Sequence, residues 1–323
     1  DVLPLKRAFR QFEDESLPDP GSYISANAYL GADAVANALN LGADVVLTGR
    51  VADPSLFLGP LVHAFGWELD SWDRLGQGTA VGHLLECAGQ LTGGYFADPG
   101  HKDVQDLDRL GFPFAEVNEN GSAVLTKLDG SGGVLSMQTC REQILYEVMD
   151  PASYLTPDVT ADFTGVCFKE EAPSRMRVLG GKGKPRPRHY KVSIGVDDGV
   201  VCEGQISYAG PGALERAELA REILNKRLAR GPARDLRIDF IGVNAMHGIP
   251  DRWPPPYEVR LRAGARFNNE VDARCLAREV ESLYLNGPAG GAGVTFSTRE
   301  NIAIVPALIE REYVNPTVSI EEA

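Results

Sequence analysis

Between Tyr23 and Arg50 the chain reads YISANAYLGADAVANALNLGADVVLTGR, and the order of its apolar and glycine positions decides the expected fold. Tyr23 to Ala28 reads as a short strand. Gly31 to Leu41 reads as a helix with Ala, Val and Leu on one face, and Gly42 stops it. Asp44 to Leu47 then has the continuous apolar character of a buried strand, followed at once by Thr48-Gly49-Arg50. Strand, helix and strand in this order predict a parallel pair joined by a right-handed crossover. Ligands of such sheets bind beyond the carboxyl ends of the strands, where Asn27 and the loop from Thr48 to Ser55 would fall.

Outward from this unit, Ser55 to Phe65 predicts a helix, and Asp70 or Ser71 caps another. Thr79 to Leu91 predicts a strongly apolar, buried helix. A glycine-rich turn at Gly130-Ser131-Gly132-Gly133 leads into a helix that Thr139 and Glu142 would start as a capping box. Beyond Pro151–Pro157 the pattern changes to strands, with Asp197-Asp198-Gly199 as a hairpin signal between Tyr190–Val196 and Val200–Tyr208. Helices at Ala213–Ala229 and Glu270–Leu285 alternate with strands at Leu236–Val243 and Tyr257–Ala263. The expected fold class is α/β: a parallel-sheet first domain, residues 1–153, and an α+β sandwich, residues 154–323, with an antiparallel sheet and two long helices.

Composition narrows the function. A chain of 323 residues, 43% hydrophobic and 24% charged, is an ordinary globular sequence with room for two domains. A net charge of -13 would repel nucleic acid and anionic membranes, so neither is expected as a partner. Five cysteines without a Cys-x-x-Cys pair read as reduced thiols of a cytoplasmic protein. No apolar run approaches a membrane span. The start, with Lys6, Arg7 and Arg10 before an acidic turn, has no signal-peptide character and reads like the middle of a domain. The first domain is therefore expected to lack its N-terminal part.

Two constellations carry chemistry. In the first, Asn27 joins Thr48, Gly49, Arg50, Asp53 and Ser55. The guanidinium of Arg50 suits a carboxylate or phosphate, and Asp53 could orient it, cap the next helix or take a proton. The alternative is a plain helix cap paired with Arg50. In the second, His83, Glu86 and Gln90 are spaced to project from one helical face, with Thr92, Gly93 and Gly94 just beyond. A buried imidazole–carboxylate pair suits acid–base work, but it could also be a structural hydrogen bond or supply two metal ligands. Weaker signals are the Gly130–Gly133 loop, which lacks a P-loop lysine, and the basic run Lys182–Lys191, usually a solvated hairpin tip. Asn244, His247 and Gly248 could line a cleft. No Gly-x-Ser-x-Gly elbow is present.

The segments Ser25–Gly31, Thr48–Pro60, Gly82–Tyr95 and Ser207–Ala213, with Tyr146–Asp158 and Arg299–Glu312, resemble the acyclic terpene utilisation protein AtuA family over nearly the whole chain. Members of that family begin earlier, with a Gly-rich strand–loop segment that this sequence does not contain. The resemblance implies a cytoplasmic protein of acyclic terpene catabolism, a route that runs through branched acyl-coenzyme A thioesters. It supplies no catalytic residues.

Together these readings predict a lyase or hydratase acting on a branched carboxylic acid or its coenzyme A thioester, with no cofactor and no metal, in a homo-oligomer. Glu86, His83 and Asp53 are the expected catalytic residues. Asn27, Thr48, Gly49, Arg50, Ser55, Gln90, Thr92, Gly93 and Gly94 are expected to bind substrate. The alternatives are a non-catalytic subunit or scaffold that uses the Lys182–Lys191 hairpin as a contact, and a metal enzyme with His83 and Glu86 as ligands.

Overall fold

The structure, a computed structural model, describes residues 1–12, 16–248 and 254–322. The chain forms two compact units, one of residues 1–20, 25–194 and 306–323, the other of residues 21–24 and 195–305.

In the first unit, strand β1 (Arg10–Gln11) and most of β2 (Tyr23–Ala28) precede helices α1 (Ala32–Asn40), α2 (Asp53–Phe65) and α3 (Trp72–Glu86). α1 begins where the Asp158 carboxylate accepts the Ala32 N–H at 2.7 Å. α2 carries Pro54 in its first turn, where a missing N–H costs nothing, and ends at Gly66 in the left-handed conformation. α3 is the core helix, buried without a break from Leu75 to Leu85. A Cβ on Gly82 would sit 2.6 Å from the Pro54 carbonyl oxygen, so only glycine allows this approach. The end of α3 is thereby pressed against the start of α2.

The unit continues through β3 (Pro113–Val117), β4 (Ala123–Lys127), α4 (Met137–Leu145), β5 (Tyr154–Leu155), β6 (Thr160–Asp162), β7 (Cys167–Ala172), β8 (Arg175–Leu179) and β9 (Lys182–Lys184). β3-β4-β8-β7 form one antiparallel sheet and β5-β6-β9 another. Leu58, Leu84, Leu125, Phe163 and Met176 join the helices to these strands in one core. Full burial of each such side chain contributes roughly 1.5–3 kcal/mol. The capping box of α4 is Ser136 with Thr139, each side chain accepting the other's backbone N–H. Thr139 is already helical, so the box expected at Thr139 and Glu142 lies one turn too late.

The parallel sheet expected in the first domain does not form, and the α/β fold class is corrected accordingly. The named ladders are antiparallel, in a mixed arrangement of helices and strands. Residues 44–47 are not a strand, and Val45 and Leu47 are 76% and 92% exposed. What survives of the predicted pairing is a single parallel bridge from Leu30 to Val51. The three apolar residues Val45–Leu47 find no sheet to enter, because β2 pairs instead with a later strand, β10 (His189–Ala209).

β10 runs out of the first unit into the second after Ile194. It also passes through Asp197-Asp198-Gly199 without reversing, so the predicted hairpin is instead a bend within one strand. Gly199 takes a left-handed φ of 74°, and Asp198 is held by Arg266 and Asn301. The second unit adds α5 (Ala213–Leu228), β11 (Arg234–Ile241), β12 (Glu258–Phe267), α6 (Glu270–Asn286) and most of β13 (Ala292–Glu310). Its sheet runs β13-β10-β12-β11, with Val200 opposite Phe267 and Ala209 opposite Glu258. Val259, Leu261, Ala263 and Phe267 alternate towards α5 and α6, while Arg260 and Arg262 point the other way into polar partners. The far end of β13 belongs to the first unit, where Arg10 of β1 pairs with Leu308. Among the described residues no helix is long and apolar enough to cross a membrane.

Candidate functional site

α3 ends in a buried imidazole–carboxylate pair. His83 Nδ1 lies 2.8 Å from Glu86 Oε1, with side-chain exposures of 1% and 11%. The outer atoms of both groups, His83 Nε2 and Glu86 Oε2, are buried and have no hydrogen-bond partner among the described residues. Burial pushes the Glu86 carboxyl above its ordinary value; the His83 hydrogen bond and charge oppose this, and the charges of Asp53 and Glu147 add to it. Glu86 is also the last residue of its helix, where the macrodipole disfavours an anion. The imidazole packs against two rings that also touch each other, with centroids 5.3 Å from Tyr154 and 5.7 Å from Phe163.

Tyr154 also lines a cavity of about 330 Å³, together with Phe12, Tyr29, Asp53, Tyr190 and Lys191. Among the described residues its walls are mainly aromatic and proline side chains, with Asp53 as the one carboxylate. Asp53 reaches the cavity from the first turn of α2, set there by the Gly82–Pro54 contact. Burial raises the Tyr154 phenol, and the charges of Glu86 and Asp53 push it the same way. One neighbourhood therefore holds Asp53, His83 and Glu86.

The other residues named from sequence divide into groups. Arg50 stacks its guanidinium 5.1 Å from the Tyr29 centroid, beside the cavity. Thr48 and Gly49 are exposed in the irregular loop before α2, and Asn27 is half-buried in β2. Ser55 is buried and donates its hydroxyl to Asp158, which ties the starts of α1 and α2 together. α3 stops at Glu86, so Gln90 lies in a separate turn beyond Ala88, a non-glycine residue at φ 47°. Thr92 is spent on the Gly111 and Gly89 carbonyls, and Gly93 and Gly94 pack against Val104 and Leu110. These last three hold the turn after the helix.

The family model described as acyclic terpene utilisation family protein AtuA matches residues 5–320. The chain belongs to the AtuA family. No curated protein and no solved structure matches it. The match spans both the His83–Glu86 pair and the neighbouring cavity, whose described lining residues include neither of the two, in a family of acyclic terpene utilisation.

In this AtuA family chain several site residues escape a local reading of the sequence. Tyr29, Tyr154 and Tyr190 are scattered over more than half the first unit, and only the fold gathers them. A local signal exists only for Tyr190, which stands between His189 and Lys191. The basic run is not a free tip. Lys182–Lys184 is the strand β9, and Lys184 Nζ donates to the Ala152 carbonyl. The Gly130–Gly133 loop is closed on itself, with the Ser131 hydroxyl on the Leu128 carbonyl and Lys127 on Ser131. Among the described residues no group of three or more His, Cys, Asp or Glu side chains is placed to hold a metal, and His83 and Glu86 offer two donors at most.

Proposed function

We propose that this chain is an enzyme of acyclic terpene or branched-acid catabolism, of lyase or hydratase type. Its substrate is a branched carboxylic acid or the coenzyme A thioester of one. Glu86 moves the proton on the carbon next to the carbonyl, and His83 positions and balances it. The observation that carries this reading is the pair of unpartnered buried atoms, Glu86 Oε2 and His83 Nε2. A buried polar atom without a partner costs about 1–3 kcal/mol, a cost that a bound substrate's polar group would remove.

A carboxylate whose proton is held more tightly than usual is a stronger base in its ionised form and a usable acid in its neutral one. His83 keeps the ionised form accessible, since its hydrogen bond is the largest influence that lowers the Glu86 value. The surrounding Tyr154 and Phe163 rings exclude water from that transfer. Purified protein given geranyl-type and glutaryl-type thioesters should turn one of them over. Glu86→Gln should slow that turnover by about 10²–10⁴-fold. Full activity in the variant overturns the assignment.

A further inference from the structure

We propose that Arg50 and Lys191 form the anion-binding end of the tyrosine-lined cavity, and that its interior takes the apolar chain of an amphipathic acid. Both cations sit on one ring: the Arg50 guanidinium lies 5.1 Å and the Lys191 ammonium 5.5 Å from the Tyr29 centroid. Lys191 Nζ is also 5.9 Å from the Phe12 ring. Neither side chain makes an ion pair with a described residue, although acidic groups outnumber basic ones 45 to 32 in the chain. Elsewhere the arginines find carboxylates readily, as Arg175 does with Glu116 and Arg262 with Asp239. Two like charges brought to one ring repel each other, and an anion beside them relieves that repulsion.

The rest of the cavity fits the other half of such a ligand. Tyr154, Leu155, Tyr190 and Leu308 give it a largely apolar surface, with Asp53 as the acidic group among its described lining residues. A volume of about 330 Å³ lies at the small end of ligand pockets, which suits a short hydrocarbon chain better than a nucleotide. A third cation, the Arg311 guanidinium, lies 4.0 Å from the Tyr190 ring centroid and adds positive potential without lining the space. The anionic head is either a free carboxylate or the phosphates of a coenzyme A thioester. Both are oxyanions that a cation pair would hold. This inference rests on the proposed function only in taking the cavity as the substrate's.

Calorimetric titration of the whole chain with octanoate, octanoyl-coenzyme A, 1-octanol and acetate tests it. Octanoate or octanoyl-coenzyme A should bind more tightly than octanol and acetate, and the affinity should fall as salt is raised. Binding by octanoate alone assigns the free acid, and binding by the thioester alone assigns the coenzyme A form. Arg50→Met and Lys191→Met should each weaken binding about fivefold. Lys191→Arg should retain it, and Leu308→Trp should abolish it by filling the cavity. Unchanged thermal unfolding of each variant keeps the comparison valid, and the charge-removing Arg50→Gln or Lys191→Gln, or the cavity-filling Leu308→Phe, replaces the corresponding variant if it fails to fold. Equal binding of octanol, unchanged affinity in both methionine variants, or undiminished binding in Leu308→Trp overturns the proposal. If these affinities behave as expected while Glu86→Gln keeps full turnover, the catalytic reading alone falls. If Glu86→Gln loses turnover while the methionine variants keep affinity and KM, only the anion seat falls.

Discussion

His83 Nδ1 and Glu86 Oε1 are 2.8 Å apart in the last turn of α3, and each residue has its other polar atom buried without a partner among the described residues. The pair makes stability depend on pH. Glu86 is held above its ordinary value of 4.5, so the folded chain binds this proton more tightly than the unfolded chain. Its contribution is complete below pH 4.5 and is lost as pH rises through the raised value. Glu86→Gln should remove that loss. The variant should unfold at a higher temperature than wild type near neutral pH, with the gap closing towards pH 4.5 in a thermal-melt series.

Removing the imidazole should act in the opposite sense on the carboxyl. The His83 hydrogen bond and charge are the influences that lower the Glu86 value, so His83→Ala should push it further up. Carbon-detected NMR titration of the Glu86 carboxyl reads this directly. The same variant leaves a void at a position 1% exposed beside Tyr154 and Phe163, and should cost about 2–4 kcal/mol in urea unfolding.

Asp158 offers a test of the frame beneath the site. It is almost wholly buried and accepts both the Ala32 N–H and the Ser55 hydroxyl. Burial drives its carboxyl up, against the pull of those two bonds. Asp158→Ala leaves both donors without a partner and should cost about 2–4 kcal/mol. Asp158→Asn keeps one acceptor oxygen and removes a buried titratable group, so it should cost clearly less. Denaturant midpoints of the two variants give the order.

Gly82→Ala should destabilise the chain by about 1–3 kcal/mol, because the new methyl meets the rigid Pro54 backbone rather than a side chain that can swing aside. Turnover, once a substrate is found, should fall by more than stability explains, since the displaced turn carries Asp53.

What could be read locally was the helices. Apolar spacing in Asp53–Phe65, Ala213–Leu228 and Glu270–Asn286 lies within single segments, and these helices form where that spacing predicts them. The His83–Glu86 pairing was legible for the same reason, being one helical turn apart. Strand partners were not. Asp44–Leu47 had strand composition but no neighbour to pair with, and Asp197-Asp198-Gly199 had hairpin chemistry that Arg266 and Asn301 overrode from distant positions. The cavity was hidden likewise. Phe12, Tyr154 and Lys191 meet only through the fold, and the clamp from Asp158 crosses 126 residues to Ala32.

The contact of Gly82 with Pro54 has a consequence for how such chains change over time. The motifs Thr48–Leu56 and Gly82–Cys87 touch there through a carbonyl and a hydrogen, with no side chain between them to absorb a misfit. They act as one part written in two places of the coding sequence. A substitution in either shifts the alignment of Asp53 with the end of α3, and can be compensated only from the other. Related chains should therefore vary at these positions in tandem. A chimera that exchanges one motif without its counterpart should fold poorly even when every exchanged residue is native to a working relative.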